Sequence, residues 1–247
     1  MREEAEMETT KPTIKAVFKM IYLAALEVFM ARNDVRYYLN GICVKPCEEG
    51  GCMLIATDGH RMMIIRDKDG YASREFIIPN MPRAFSICRT KIPKRSKDLA
   101  VSPSTIVIDD SRLYIVNDSY NDNGPHANNI GEYEDHLHSA WPFKEIDGKF
   151  PDTERVIPRD LTESPDAAVS VNSKYLSDFH KAVERLCGKS HYTTTIIQRG
   201  KNSPLIMMVV APDIDAFAII MPMRNGAEEN PAIPSWVFSK AEDQKAA

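Results

Sequence analysis

The sequence predicts an α+β protein built from a repeated unit of one strand, one helix and three strands. Two kinds of pattern predict it: stretches in which apolar residues recur at helical spacing, and short strand-like runs between turn residues. The same order of elements occurs three times along the 247 residues, although the leading strand of the first pass is unclear. The repetition rests on pattern and not on sequence identity, and it favours an α+β architecture.

The first pass opens with a predicted helix over residues 14–32, for which Thr13 serves as the N-cap. An Asp58-Gly59 pair marks a tight turn between two of the strands that follow. The predicted strands of this pass span residues 35–44, 53–57 and 61–66.

The second pass consists of a strand at residues 75–78, a short helix at 79–89 and three further strands. Residues 117–140 are rich in Asn, Asp, Gly and His, which is typical of a long mobile loop. The three strands are predicted at residues 105–108, 113–116 and 143–146.

The third pass begins with a strand at residues 167–171 and a helix that Ser173 caps. Gly188 stands where a left-handed C-cap is expected. The apolar stripe of this helix is Leu176, Phe179, Val183 and Leu186. The strands after it are predicted at residues 193–198, 205–210 and 216–221.

The composition is that of an ordinary soluble globular protein, with 43% hydrophobic and 27% charged residues. Residues 1–12 are polar and acidic and lack the regions of a signal peptide, so we expect a disordered N-terminus and a cytoplasmic protein. The longest apolar run, residues 20–31, is shorter than the roughly 20 residues that cross a bilayer. The net charge of −4 argues against indiscriminate coating of nucleic acid.

Metal binding is a weak alternative. The five cysteines form no disulfide framework and are expected to be reduced thiols. Cys43, Cys47 and Cys52 lie close together, but no CxxC pair or nearby His completes a tetrahedral zinc set. His136 and His138 lie near acidic residues, where a solvated loop is the favoured interpretation. We therefore predict no metal and no cofactor.

Motifs for catalysis are lacking. Gly188-Lys189-Ser190 resembles the end of a phosphate-binding loop, yet Val183 stands where that loop needs a glycine. The sequence contains no GxSxG elbow, no HExxH helix and no dinucleotide fingerprint. Asp58 and His60 are close in sequence, but no local motif provides a nucleophile for them. The prediction is a binding protein rather than an enzyme, with a metal-dependent enzyme as a remote alternative.

Three segments, in this order and spacing, resemble the bacterial DNA polymerase III beta subunit, the sliding clamp. They are residues 34–41 (DVRYYLNG) with 56–61 (ATDGHR), residues 146–152 (IDGKFPD) with 155–158 (RVIP), and residues 221–224 (MPMR). The resemblance implies a DNA-clamp fold of about one and a half clamp domains. It makes residues 13–150 similar to the complete middle domain and 151–225 similar to the second half of the last domain. Residues 226–247 are then a C-terminal tail.

The resemblance also implies a pocket between these two regions, which in the family receives short linear peptides from polymerases, the clamp loader and repair proteins. Flexible methionines suit varied Leu and Phe anchors, and basic side chains suit the polar atoms of the peptide at the rim. Carried over by motif, the peptide-binding residues are Leu39, Thr57, Gly59, His60, Arg61, Met62, Pro151, Arg155, Val156, Ile220, Met221, Pro222, Met223 and Arg224.

Family clamps close a ring around DNA, and the resemblance implies that helix cations hold the duplex backbone without reading its sequence. The expected DNA-binding residues are Lys15, Lys19, Lys181 and Arg185. Two functions stay open: an oligomeric processivity factor, with three units per chain tiling a twelve-unit ring as a tetramer, or a module outside any ring that competes for clamp-binding peptides. Trp236, Val237 and Phe238 in the tail raise the further hypothesis that the tail blocks the pocket.

Overall fold

The structure is a computed structural model that describes residues 13–89, 103–117, 133, 136–158, 169–188, 193–200 and 202–223. The predictions for the N-terminus at residues 1–12, for most of the loop at 117–140, for Arg224 and for the tail at 226–247 lie outside the described residues.

The first unit contains five strands and one helix. The elements are β1 (Ala16–Lys19), α1 (Met20–Leu26), β2 (Gly41–Pro46), β3 (Cys52–Thr57), β4 (Arg61–Asp67) and the short β5 (Tyr71–Ala72). A 3-10 turn at Tyr37–Leu39 precedes β2. The turn between β3 and β4 is the predicted Asp58-Gly59 turn, in which Gly59 has a φ of +88°.

The second unit has the order strand, helix, three strands, and the third has a helix followed by three strands. The second contains β6 (Phe76–Pro79), α2 (Pro82–Cys88), β7 (Pro103–Ile108), β8 (Arg112–Asn117) and β9 (Leu137–Pro142). A 3-10 turn at Thr153–Val156 lies in the connection to the third unit. The third contains α3 (Ser173–Cys187), β10 (Thr193–Ile197), β11 (Leu205–Val210) and β12 (Asp215–Ile220).

The strands form two antiparallel sheets. One has five strands in the order β5-β1-β7-β8-β9, and the other has seven in the order β10-β11-β12-β4-β3-β2-β6. The first two units exchange their leading strands, because β1 pairs with β7 and β6 pairs with β2. The third unit joins the first through the pairing of β12 with β4, so both belong to one continuous sheet.

The three helices pack on one face of the sheets in a shared apolar core. Helix α1 contacts both α2 and α3, and six of its seven residues are buried. The inner residues of β12, such as Ala218 and Ile220, belong to this core. A smaller cluster on the opposite face of the seven-stranded sheet contains Leu39, Met62 and Ile219. Since side chains alternate along a strand, β4 and β12 each supply one set of residues to the core and one to the outer face.

The structure corrects the predicted helix over residues 14–32. Residues 16–19 form strand β1, the missing leading strand of the first unit, and the helix covers only residues 20–26. Val17 packs into one apolar cluster and Phe18 into another, so both faces of β1 are buried. A strand with two buried faces is apolar throughout, and its pattern then merges with that of the following helix.

Four smaller predictions were also wrong. Residues 37–39 form a 3-10 turn, so the strand predicted at 35–44 begins only at Gly41. The last strand of the second unit lies at Leu137–Pro142 rather than at 143–146. Residues 169–171, the described part of the strand predicted at 167–171, are not a strand. The N-cap of α3 is Asn172 rather than Ser173, since its side chain accepts from the Lys174 N–H.

Within the described ranges, no helix is long and apolar enough to cross a membrane.

Candidate functional site

A pocket of about 200 Å³ opens on the outer face of the seven-stranded sheet, where the first and third units meet. Strands β4 and β12, the turn after β3 and the connecting 3-10 turn all contribute to its wall. The residues that line it are Arg36, Tyr38, Leu39, Thr57, Gly59, Arg61, Met62, Pro151, Asp152, Thr153, Val156, Ile219 and Met221.

The floor of the pocket is apolar and well packed. Leu39, Met62 and Ile219 are each at most 4% exposed. Met62 and Ile219 are direct cross-strand partners in the pairing of β4 with β12. At the mouth, Val156 is 41% exposed, which leaves an apolar edge open to solvent. The pocket thus combines a rigid apolar base with an accessible apolar rim, the usual combination for a side-chain binding site.

The turn between β3 and β4 is held by its own side chains. The Thr57 hydroxyl donates to the Arg61 carbonyl at 2.7 Å and accepts from the Gly59 N–H at 3.0 Å. The Asp58 carboxylate accepts from the His60 and Arg61 N–H groups at 2.9 and 3.1 Å. A Cβ on Gly59 would lie 2.8 Å from Nη1 of Arg36. Gly59 therefore gives both the positive φ and the space that the turn requires.

Arg61 is a structural centre rather than a free ligand for the peptide. Its side chain is 7% exposed, and its Nε donates to Asp58 at 3.0 Å. Its Nη1 donates to Asp178 on α3 at 2.6 Å, and its Nη2 donates to the Val28 carbonyl at 2.6 Å. The prediction that Arg61 fixes the polar atoms of the peptide is corrected, because its guanidinium is committed to the protein. Arg61 is nevertheless one of the residues that line the pocket.

Aromatic rings complete the surroundings of Arg61. Its guanidinium carbon lies 4.7 Å from the ring centre of Tyr175 on α3 and 5.2 Å from that of Phe29 after α1. Arg61 thus joins the pocket turn to the end of α1 and to α3. The pocket wall and the helix layer are held as one body through this residue.

Burial and hydrogen bonding act in opposite directions on Asp178. Burial alone would raise the pKa of its carboxyl group, but the hydrogen bonds from Arg61 and Lys181 bring that pKa below its usual value. Asp178 is therefore ionised at neutral pH and completes a buried ion pair with Arg61.

Arg36 occupies the other side of the turn. Its side chain donates to both carboxylate oxygens of Asp34, at 3.0 and 2.8 Å, and to the Asp58 carbonyl at 3.3 Å. The Arg36 hydrogen bonds lower the pKa of Asp34 to about 2. With 45% of its side chain exposed, Arg36 is the accessible cation of the pocket wall.

The connecting segment closes the pocket. Asp152 caps the 3-10 turn by accepting from the Glu154 N–H. Arg155 is 83% exposed and its Nε lies 2.9 Å from Asp152, outside the pocket lining. Pro151, before this turn, and Val156, its last residue, both line the pocket.

Eight of the predicted peptide-binding residues come together in the lining. They are Leu39, Thr57, Gly59, Arg61, Met62, Pro151, Val156 and Met221. His60 and Arg155 are exposed beside the pocket but do not line it. Ile220 is fully buried in the core on the opposite face, so its assignment was wrong by one strand position. Pro222 and Met223 lie beyond β12 and outside the lining, and the prediction for Arg224 cannot be placed.

Five lining residues were not predicted: Arg36, Tyr38, Asp152, Thr153 and Ile219. A period-two pattern in the last strand would have found Ile219, because Ile219 and Met221 must share a face. Arg36 and Tyr38 lie inside the DVRYYLNG segment, and the Asp152 side chain is a recognisable helix cap.

The predicted DNA-binding cations do not all lie on helices. Lys15 and Lys19 lie before and on strand β1 rather than on a helix, which corrects the premise of their assignment. Lys15 is only 13% exposed and pairs with Asp110 at 3.0 Å, and Lys19 lies 3.8 Å from Asp69. Only Lys181 and Arg185 lie on a helix, α3.

The two α3 cations differ in accessibility. Lys181 is 54% exposed and pairs with Asp178 at 3.1 Å. Arg185 donates to the Ala24 carbonyl and to Glu27 and is 26% exposed, and burial lowers its pKa. Arg185 thus ties α3 to α1, and Lys181 is the cation of this pair that faces solvent.

The cysteines do not form a metal centre. All five are free thiols, and burial raises the pKa of Cys43 to about 12 and also raises the pKa of Cys52. Protonated, buried thiols are poor metal ligands. Within the part of the chain that the structure describes, no group of three or more His, Cys, Asp or Glu residues is arranged to hold a metal ion.

The sequence matches no family model. It is similar to curated beta sliding clamps at about 30% identity over part of the chain. That of Pseudomonas aeruginosa is 29% identical over 136 residues, covering 53% of this chain and 29% of the relative. That of Escherichia coli K12 is 30% identical over 159 residues, covering 63% and 35%. The chain thus spans about a third of the length of the curated relatives it matches.

Solved structures show the fold. A Pseudomonas aeruginosa DNA polymerase sliding clamp crystallised with a ligand superposes with a TM-score of 0.58 at 18% identity, covering 88% of this chain and 68% of that one. The DNA polymerase III beta chain of Streptococcus pneumoniae gives a TM-score of 0.58 at 15% identity, covering 91% and 69%.

Together, the paired sheets, the helix layer and the repeated units define a protein of the DNA-clamp fold. Within that class the chain is similar to curated bacterial beta sliding clamps, of whose length it spans about a third.

Proposed function

We propose that this protein is a non-enzymatic, sliding-clamp-type DNA replication protein that binds linear peptide motifs of DNA polymerases, the clamp loader and other replication proteins. The observation that carries the proposal is the apolar pocket at the junction of the first and third units. The pocket lies where strands β4 and β12 pair, and residues from all three sequence segments that resemble the clamp family line it. The proposal includes a cytoplasmic location and no cofactor.

The dimensions of the pocket favour peptide side chains as ligands. Its volume of about 200 Å³ is below the roughly 300–1,000 Å³ that is common for drug-sized ligands. It suits one or two apolar side chains of a peptide whose remaining residues lie on the surface. Met62 and Met221 can adapt to different anchors, which suits a site that several partners share.

The domain assignment supports the same function. We propose that residues 13–150 correspond to a complete clamp domain and that residues 151–225 correspond to the second half of another. The first two units exchange their leading strands, and this exchange supports treating residues 13–150 as one domain. The third unit contributes β12 and α3, which are the elements that complete the pocket and hold Arg61.

Self-association follows from the edges of the sheets. Strands β9 and β10 stand at the ends of their sheets, and on them Leu137 and Ile196 are 44% and 56% exposed. Exposed edges that carry large apolar side chains favour pairing with another chain. We therefore propose a homo-oligomer in which these edges are covered, with double-stranded DNA held by its backbone at the helix layer.

The proposal is tested by fluorescence anisotropy with a short fluorescein-labelled peptide that carries a Leu-Phe anchor pair. Saturable binding is expected, and Met221→Ala should weaken it about tenfold, since losing an anchor contact in a pocket costs about 1–2 kcal/mol. Met208→Ala is the matched control, because Met208 is a half-exposed methionine of β11 that does not line the pocket. A folded protein that does not bind the peptide contradicts the proposal.

The competing proposal is a module outside any ring that binds the same peptides. The predicted DNA-binding residues offer few free cations, which favours it, since Arg185 is paired with Glu27 and Lys15 with Asp110. The two proposals differ in DNA topology. A closed ring stays on circular DNA and slides off after linearisation, whereas a module of this kind is retained on neither.

A further inference from the structure

A second groove lies on the outer face of the seven-stranded sheet, next to the pocket. It has a volume of about 500 Å³, and its floor includes Met53, Ile64 and Phe217. Phe217 and Ile64 are cross-strand partners on β12 and β4. The carboxylates along its rim belong to Glu48, Glu49, Glu154 and Asp215.

The groove continues the pocket along the same two strands. On the outer face of β4, Met62 of the pocket is followed by Ile64 of the groove and then by Arg66. On β12 the corresponding partners are Ile219, Phe217 and Asp215. A strand advances about 3.3 Å per residue, so four residues of an extended peptide cover the roughly 13 Å from the pocket floor to the rim of the groove.

The charge of the groove is negative. Four carboxylates line it, against the basic side chains of Lys45 and Arg66. Arg66 is already paired with Glu49 at 2.7 Å and lies 4.0 Å from Asp215. The carboxylates of Glu48 and Glu154 make no hydrogen bond or ion pair with any side chain in the described ranges. The groove therefore offers, beside an apolar floor, two carboxylates that no described residue pairs with, and this arrangement complements a basic ligand.

We infer that the groove is a specificity subsite for the same peptide, and that it recognises lysine or arginine residues about four positions beyond the apolar anchor. The inference rests on the proposed function of the pocket. The apolar stems of these side chains cover Ile64 and Phe217, and their cationic ends reach Glu48 and Glu154. The preferred partner is thus a linear peptide with an apolar anchor and a basic flank.

The experiment compares five labelled peptides that share one Leu-Phe anchor. The parent has no flank, and the others carry either three lysines or three glutamates, placed in turn at each end. Anisotropy titrations at low and high salt are run on the full chain. The variant is Glu48→Gln with Glu154→Gln. The matched control is Glu75→Gln with Glu184→Gln, two glutamates that do not line the groove.

The lysine flank should strengthen binding about three- to tenfold at one end of the anchor, and the glutamate flank should weaken it, because ion pairs at an exposed rim contribute only modestly to affinity. High salt and the groove variant should both remove the preference, and the parent peptide should bind the variant as it binds the wild type. The control variant should keep the preference.

Three results overturn the inference. Equal binding of the lysine and parent peptides refutes the subsite while leaving the pocket intact. A lysine preference that survives in the groove variant shows that the lysine flank of the peptide binds outside the groove. Loss of self-association in the groove variant, measured by sedimentation with the peptide preference unchanged, makes the groove a contact between copies. If the parent peptide itself fails to bind, the proposed function fails as well.

Discussion

The ion pair between Arg61 and Asp178 gives the sharpest test of how the pocket is built. Replacing Asp178 by alanine leaves the Arg61 guanidinium, 7% exposed, without its partner on α3. Removing one member of a buried pair costs about 3–5 kcal/mol, because the remaining charge stays desolvated. With a urea m-value of about 2 kcal/mol/M, the unfolding midpoint should fall by about 1.5–2.5 M.

The assay is urea unfolding followed by circular dichroism at neutral pH. Glu184→Ala is the matched control on the same helix, since Glu184 is half-buried and the described residues give its side chain no ion pair. Its free energy of unfolding should change by no more than about 0.5 kcal/mol, as expected of a surface substitution. Equal midpoints for the two variants would refute the view that Arg61 holds the third unit to the first.

The same pair predicts a pH dependence. The folded-state pKa of Asp178 lies below its usual value, so its contribution to stability is complete above the unfolded-state pKa of about 3.9 and disappears as the pH falls through the folded-state pKa. Asp178→Asn keeps the shape of the side chain but cannot be charged. The stability gap between wild type and Asp178→Asn should therefore be full at neutral pH and close in acid. A gap that is constant down to strongly acidic pH contradicts the assigned charge.

Three further predictions follow from the turn, the helices and the thiols. Gly59→Ala should destabilise the protein by more than Gly50→Ala, because both have a positive φ but only Gly59 lies against Arg36; thermal unfolding of the two variants checks it. Glu27→Gln should cost about 3 kcal/mol in urea unfolding, because it leaves two guanidinium groups without their shared buried carboxylate. In native alkylation followed by mass spectrometry, two cysteines should react and three should be protected until the chain is unfolded, the reactive pair being Cys47 and Cys187.

Local chemistry made parts of the site predictable from the sequence. The Asp58-Gly59 turn was confirmed because the requirement for a positive φ falls on a residue that can meet it. The helix at residues 173–187 was confirmed through its apolar stripe and the glycine that ends it. The predicted order of one helix followed by three strands was confirmed in all three units for the same reason, since each unit has its own turn and helix signals.

What depended on distant contacts could not be predicted. The role of Arg61 follows from Asp178, 117 positions away, and nothing in the local sequence reveals that partner. The sequence pattern predicts a helix at strand β1 because both faces of this strand are buried, which removes the alternation that marks a strand. The assignment of Ile220 instead of Ile219 shows the same limit, because only the pairing with β4 decides which face is outer.

The central claim is that the pocket between β4 and β12 binds a peptide. The most direct measurement is NMR of methionine methyl groups labelled with carbon-13, recorded as an unlabelled Leu-Phe peptide is added. The 12 methionines report on several parts of the molecule. Met62 and Met221 line the pocket, whereas Met63 and Met207 lie in the core on the other face of the same sheet. Saturable shifts confined to the Met62 and Met221 methyl groups are predicted. Binding that leaves both unshifted, or that shifts the core methionines instead, would contradict the claim.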